Sequence, residues 1–306
     1  MLGRRTVLAG GAAAATALAF GGARRALAAA APAIPTVSIG PNVSIGNGVA
    51  MPALGFGTYG LRGDVCRKSV ADAIAAGYRL IDTAKVYVNE EEVGAGIRDS
   101  GIDRKALFVT SKIWVDDAGY ESGKRAFQTT LDKLGLDYLD LYLIHRPRGD
   151  LAGAWRAMEE LHRAGRIRAI GVSNFDDAQL ASLATHATVK PAINQVETHP
   201  FFQEMAALGA LTGAGIVMEA WAPFAEGRNG LFTNPTLQAI GRAHGKTAAQ
   251  VTLRWHHQRG VIAIPRSSNP AHRRENLAIF DFQLSADEME RIAKLDLNRS
   301  QFPEWT

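Results

Sequence analysis

Asp82, Tyr87, Lys112 and His145 are the residue types that proton delivery to a carbonyl oxygen requires. A phenol alone is a poor acid near neutrality, with a reference pKa near ~10. A neighbouring ammonium stabilises the phenolate and lowers that value, and a carboxylate holds the ammonium in place. A neutral histidine can hydrogen-bond the carbonyl oxygen and orient the substrate. Ser173, Asn174 and Gln195 can donate to and accept from a planar carboxamide. Each residue also has a plainer reading. A lone histidine at a strand end is more often a satisfied core residue, and Tyr59 or Trp114 taken singly would be core aromatics. Their joint placement decides between the two readings.

That placement rests on alternating elements. Apolar runs of strand length occur at 54–58, 79–83, 107–111, 139–145, 167–172, 192–196, 216–221 and 261–264, with amphipathic stretches such as 67–76, 123–134, 153–164 and 178–185 between them. Ahead of them, 37–39 and 43–45 read as two short strands separated by Gly40-Pro41-Asn42, with Gly46-Asn47-Gly48 as a further turn. Eight strands alternating with helices suit a closed (β/α)8 TIM barrel with an N-terminal β-hairpin and a short C-terminal tail. A doubly wound open sheet alternates too. The polar residues separate the two, because Asp82, Lys112, His145, Ser173-Asn174 and Gln195 all fall at or just past strand C-termini. In a barrel those ends open on one face, where active sites are built.

Two motifs compete with this reading. Gly55-Phe-Gly57-Thr-Tyr-Gly60, with Asp82 further on, imitates the dinucleotide fingerprint, but Leu61-Arg-Gly-Asp64 does not open a helix directly. Tyr120-Glu-Ser-Gly-Lys124 imitates the Tyr-x-x-x-Lys pair of short-chain dehydrogenases, at the charged start of a helix. Phosphate-loop, zinc-protease and serine-esterase patterns do not occur, and nothing requires a metal.

The strings Gly55–Tyr59, Asp82–Gly94, Val109–Trp114, Tyr142-Leu-Ile-His145-Arg-Pro147, Gly171-Val-Ser-Asn-Phe175, Asn194-Gln-Val-Glu197 and Ile264-Pro-Arg-Ser267 with Glu275-Asn276 follow one another in order. In this order and spacing they resemble the aldo-keto reductase superfamily from about Val37 to Leu297. The bacterial diketogluconate reductase-like branch is the nearest, on Trp221 and the short tail. The resemblance implies Tyr87 as general acid, with Lys112, Asp82 and His145 completing the set. It implies Tyr59, Trp114 and His145 at the substrate, and Ser173, Asn174 and Gln195 at a nicotinamide amide. Trp221 would stack on the nicotinamide face, Thr58 and Asp82 lie near the ribose, and Pro223, Phe224 and Gly227 near the pyrophosphate. Arg266, Ser267, Glu275 and Asn276 match adenosine-phosphate positions. The implied activity is NADPH-dependent reduction of small aldehydes or ketones of keto-sugar or 2-oxoaldehyde type. A non-catalytic nicotinamide-binding sensor or partner subunit on the same fold is the alternative. His272 stands where the family commonly has an arginine, which weakens the grip on a 2′-phosphate and leaves NADH open as a second cofactor. Arg273 and Arg274 follow, but at helical spacing they point elsewhere.

Composition narrows the setting. The 306 residues are 47% hydrophobic and 21% charged, enough for a large core. The one cysteine, Cys66, excludes an intramolecular disulfide framework and reads as a small core hydrophobe. Residues 1–28 hold Arg4, Arg5, Arg24 and Arg25 and no acid, so removing these four from the 34 basic residues leaves 30 against 30 acidic ones. The body is formally neutral, and no pull towards nucleic acid follows. A charged start, an Ala/Gly-rich middle and Ala26-Leu-Ala28 make residues 1–28 a signal of the twin-arginine type, with Ala31-Pro-Ala33 as a second cut site. Alanine and glycine make a poor permanent membrane span, so no stable anchor is expected after cleavage. Residues 29–35 form a linker and 36–306 the barrel. The expected product is an exported periplasmic monomer, cytoplasmic if the leader is inefficient.

Overall fold

A computed structural model describes residues 40–305 apart from Asn47. The leader at 1–28 and the linker at 29–35 lie outside the described residues, as does the strand expected at 37–39. A hairpin of β1 (Asn42–Ser44) and β2 (Ala50–Pro52) comes first. The barrel strands are β3 (Phe56–Gly57), β4 (Leu80–Asp82), β5 (Phe108–Ile113), β6 (Leu139–Ile144), β7 (Ile167–Ser173), β8 (Ile193–Glu197), β9 (Val217–Trp221) and β10 (Ile262–Ala263). Each pairs in parallel with the next, from β3 through to β10. The ring is closed by a parallel bridge between Leu54 and Ala263, with Gly55 N–H donating to the Ala263 carbonyl at 2.8 Å. The fold is therefore the (β/α)8 barrel expected, with no open sheet edge.

The outer layer is made of α1 (Gly63–Ala76), α2 (Glu90–Asp99), α3 (Tyr120–Leu134), α4 (Leu151–Arg163), α5 (Asp177–Ala184), α6 (Met205–Ala214), α7 (Pro235–His244), α8 (Ala248–Gln258), α9 (Pro270–Leu277) and α10 (Ala286–Ala293). Their ends carry local signals. Asp176, Thr247 and Ser285 form capping boxes with Gln179, Gln250 and Glu288, satisfying orphan N–H groups at the first turns of α5, α8 and α10. None of the described helices is long and apolar enough to cross a membrane.

Strand parity decides which side chains enter the barrel, because successive residues face opposite sides. Leu80, Phe108, Leu141, Leu143, Ala169 and Ile193 pack together inside, joined by Ile45, Val49 and Met51 of the hairpin segment. Ile81, Val109, Tyr142, Ile144, Ile170 and Val172 pack outward with the helices. An even number of residues on from the inward Leu80, Phe108 and Ile193, Asp82, Lys112 and Gln195 must point inward as well, nearer the carboxyl ends of their strands.

Two expectations are corrected here. The hairpin pairs 42–44 with 50–52 around the Gly46–Gly48 region, so the segment expected as its second strand overlaps the first. The reason is burial: Ile45, Val49 and Met51 all enter the barrel cluster, and only a turn between them allows that. The segment after Gly60 does open a helix, with α1 beginning at Gly63. Closure, rather than a missing helix, distinguishes this barrel from a dinucleotide-binding sheet. A Cβ at Gly57 would stand 2.8 Å from the Ile264 carbonyl oxygen across the closing seam, and Gly60 has φ +76°. These glycines let β3 meet the end of β10 and then turn. The Tyr120 and Lys124 pair also has a structural task, since both bind Glu160 and tie α3 to α4. Cys66 is buried in the outer core, where burial pushes its thiol up to about 12.

Candidate active site

The carboxyl ends of the strands open into a cavity of about 450 Å³, within the range of small-molecule sites. At its floor Lys112 is fully buried, and its Nζ donates to Asp82 Oδ1 at 2.6 Å, to the Thr83 carbonyl at 2.9 Å and to the Tyr87 hydroxyl at 3.3 Å. Tyr87 comes from the single turn Lys85–Tyr87 after β4, and Lys112 from the next strand. His145 follows β6, its ring centroid 5.8 Å from that of Tyr87 and 5.1 Å from that of Trp114, edge-on in both cases. Four residues spread over 64 positions of sequence thus meet at one place.

The electrostatics refine the expected acid. Burial raises the Tyr87 phenol to about 12, and the Lys112 charge and hydrogen bond pull the other way without overcoming it. A depressed phenol was expected. The correction arises because a fully enclosed phenolate loses more hydration than one ammonium 3.3 Å away restores. The proton therefore stays on Tyr87 until negative charge develops nearby. For Lys112 burial works against the charge, but Asp82 and Tyr87 outweigh it and hold the ammonium above its ordinary value. Burial, then Lys112 and Arg146, push His145 well below its ordinary value, so it is neutral.

Below this set lies a carboxyl that the sequence reading missed. Gln195 Nε2 donates to Asp82 Oδ2 at 3.0 Å and to Glu219 Oε2 at 2.8 Å. Burial and the Asp82 charge raise Glu219 to about 8. With Glu219 protonated, one carboxylate faces one ammonium and the floor is close to neutral. Its signal was a charged residue of inward parity in the otherwise apolar strand Val217-Met-Glu-Ala-Trp221.

The residues expected at a nicotinamide amide are tied to one another. Asn174, at φ +62°, donates to the His145 carbonyl at 3.1 Å and to Ser173 Oγ at 2.9 Å, and accepts from the Trp221 indole N–H at 2.8 Å. Ser173 Oγ donates to the Gln195 carbonyl at 2.8 Å. Asn174, Gln195 and Trp221 line the cavity; Ser173 and Lys112 support it from behind, as does Thr58, whose hydroxyl donates to the Asp82 carbonyl. Tyr59 lines it, whereas Trp114 stands behind His145.

At the rim, Pro223, Phe224, Arg266, Ser267, Ser268, Asn269 and His272 face the same cavity. Arg266 is exposed and makes no hydrogen bond or ion pair among the described residues. An unpaired guanidinium beside serine hydroxyls, ahead of α9, suits a phosphate. Arg273 is buried and engaged with Asp72 at 2.5 Å, Ser69 and the Ser267 carbonyl, so it braces the rim loop from below. Besides Thr58 and Ser173, three more expected cofactor residues are not in the cavity wall. Asn276 is buried beside the Tyr78 hydroxyl, Glu275 is exposed on α9, and Gly227 sits at φ +81° in the loop that brings Phe224 edge-on to Phe232. At three and four residues on, 275 and 276 share the side of α9 that carries His272, but they lie one turn further along the helix and outside the cavity wall.

The C-terminal tail was also missed. Ser300 Oγ and the Gln301 N–H bind Glu197 at the end of β8, which lays Phe302 against Trp221 at 5.4 Å and Trp305 against Tyr59 at 5.5 Å. Two large aromatics in a segment without strand or helix period were the available signal.

A phenol and an ammonium at the floor of a barrel-end cavity, under a rim with an unpaired guanidinium, suit an enzyme working with a phosphate-bearing cofactor. Comparison with known proteins is specific. The sequence matches the aldo/keto reductase family over residues 53–297. It is 46% identical over 270 residues to morphine 6-dehydrogenase of Pseudomonas putida, covering 84% of this chain and 91% of that protein. It is 46% identical over 265 residues to glyoxal reductase of Bacillus subtilis (strain 168), covering 86% and 95%. Among solved structures, the aldo/keto reductase of Brucella melitensis matches with a TM-score of 0.81 at 45% identity, over 85% of this chain and 100% of that one. A Bombyx mori aldo-keto reductase in complex with NADP matches with a TM-score of 0.81 at 33% identity, over 87% and 96%. The chain belongs to the aldo/keto reductase family and is an NAD(P)H-dependent oxidoreductase, with NADPH as its cofactor.

Proposed function

We propose that this enzyme reduces small aldehydes or ketones, of keto-sugar or 2-oxoaldehyde type, to alcohols, with Tyr87 as the general acid. The observation that carries the reading is the Lys112 ammonium lying between Asp82 and the Tyr87 hydroxyl on the cavity floor. NADPH, when bound, supplies the hydride that reduces the carbonyl carbon and leaves as NADP⁺. Asn174 and Gln195 would hold the carboxamide, Trp221 the ring face, and Arg266 with Ser267 a phosphate. Tyr87 and neutral His145 hydrogen-bond the substrate's oxygen. As negative charge grows there, Tyr87 releases its proton to that oxygen, and Lys112 stabilises the phenolate left behind. Asp82 keeps Lys112 charged and in place. Tyr59, Phe302 and Trp305 wall the site and exclude water. The name of one relative, glyoxal reductase, is in keeping with a small carbonyl substrate. Oxidation of NADPH by purified mature protein on addition of an aldehyde and ketone panel tests the reading; no turnover with any member would overturn it.

Export belongs to the same proposal, carried by Arg4-Arg5 and the small-residue cut sites. The enzyme then works as a periplasmic monomer of the diketogluconate reductase-like branch. Replacing Arg4 and Arg5 with lysine is expected to leave uncleaved precursor in the cytoplasm, seen by fractionation. Mature protein outside the cytoplasm at unchanged yield would remove the twin-arginine route.

A further inference from the structure

Arg146 lines the cavity next to His145, and the reaction as proposed has no use for it. Its side chain belongs to a residue only 9% exposed, yet it makes no hydrogen bond and no ion pair among the described residues. The guanidinium lies 5.4 Å from the Trp305 ring centroid. The acid closest in role, Asp82, is already held by Lys112 and Gln195. The exposed Arg148 adds a second positive charge to the neighbourhood.

Taking a guanidinium out of water costs more than one aromatic face returns, so a buried arginine normally has an anion. Buried and half-buried arginines elsewhere among the described residues follow that rule, Arg273 with Asp72 and, at the other end of the barrel, Arg168 with Asp140. Arg146 also differs from Arg266 in its company. Arg266 stands with the rim serines. Arg146 stands with Trp305, which meets Tyr59 at 5.5 Å, which in turn meets Tyr87 at 5.1 Å. A run of touching rings therefore links the free guanidinium to the proton donor around one end of the cavity.

Resting on the reading of Tyr87 as proton donor, we propose that the substrate carries an anionic group besides its carbonyl, a carboxylate or a phosphate, and that Arg146 binds it. The guanidinium fork matches both kinds of oxygen. The competing role is structural, with Arg146 merely holding Trp305 in place.

Matched pairs of substrates separate these. With NADPH, kcat/KM is measured for succinic semialdehyde against butanal, 4-carboxybenzaldehyde against benzaldehyde, and glyceraldehyde 3-phosphate against glyceraldehyde. The charged member of the carboxylate pairs or of the phosphate pair is expected to lead by about 10-fold or more, and which pair does so identifies the anion. In Arg146→Gln that ratio is expected to collapse towards one, chiefly through KM, and Arg146→Lys to restore part of it. Equal rates within every pair for the wild-type enzyme overturn the proposal, a result that stands even if Arg146→Gln fails to fold. An Arg146→Gln variant that loses charged and neutral members alike makes Arg146 a holder of the tail and overturns it too. Absence of turnover with all six compounds defeats the reductase reading and this proposal together, whereas turnover without a charge preference defeats this proposal alone.

Discussion

The floor and the rim of the cavity are built on opposite plans. On the floor, Asp82, Tyr87, Lys112, Gln195 and Glu219 are buried and bonded to each other, so their geometry exists before any ligand arrives. At the rim, Arg266 is unpaired, His272 is exposed, and the loop is held from beneath by Arg273. Chemistry needs preorganised groups in a water-poor place, because reorganising them during reaction would raise the barrier. Recognition of a soluble, charged cofactor needs groups whose partners are still missing. The same barrel face supplies both, with depth as the variable.

The comparison breaks first if the floor is dispensable. Tyr87→Phe keeps the ring packing and removes the proton, and it is expected to lower kcat by about 10²- to 10⁴-fold while nucleotide binding survives. Lys112→Met is expected to act similarly, with an added loss of stability because Asp82 is left buried without its ion pair. Steady-state rates together with cofactor titration by fluorescence check both. Near-full activity in Tyr87→Phe would mean the floor is structural.

At the rim the expected effect is smaller and shows as preference. His272 offers a single ring hydrogen bond, where an arginine would add a permanently charged fork. His272→Arg is expected to sharpen the NADPH-to-NADH ratio of kcat/KM by about 10- to 150-fold, from a wild type using NADH within about two orders of magnitude of NADPH. Arg273 cannot take over, since Asp72 and Ser69 hold it under the loop. An unchanged ratio would place His272 away from the phosphate.

The smallest effect is on stability and again belongs to the floor. Glu219 is raised to about 8 by burial and by Asp82. In the unfolded chain it ionises near its ordinary ~4.3. Between those values the unfolded state has lost the proton and the folded state keeps it, so this contribution is fully present below the lower value and lost as pH rises towards 8. Glu219→Gln lacks that titration. Relative to wild type, its Tm is expected to gain about 7–14 °C between pH 5 and pH 8, measured by calorimetry. Parallel Tm curves for the two proteins would show that Glu219 is ionised in the fold.

Much of the floor was legible in the sequence because strand parity is local. Leu80 and Asp82, or Phe108 and Lys112, share a side of their strands, and apolar alternation says which side is inside. Glu219 is equally legible by that rule, as the charged residue of an otherwise apolar strand, although it lies outside the motif strings. The rim was less so: His272, in the first turn of α9, lies in the wall, whereas Glu275 and Asn276 sit one turn further along the helix and outside it. Arg146 sat inside a string already singled out, and no sequence rule says that an arginine will be left without an acid.

The amino-acid sequence by itself determined the alternation of strands and helices, the ends at which polar residues fall, and the residue types of an acid–base set. These follow from steric and hydrophobic periods that act over a few residues. Tertiary structure alone decided that the Tyr87 phenol rises rather than falls, that Gln195 joins two carboxyls, and that Phe302 and Trp305 return from the tail to wall the cavity. Those outcomes depend on how much water is excluded and on contacts between segments as far as 246 residues apart, such as Trp305 and Tyr59. Such distances in sequence carry no local energetic signal, so only the closed barrel brings them into view.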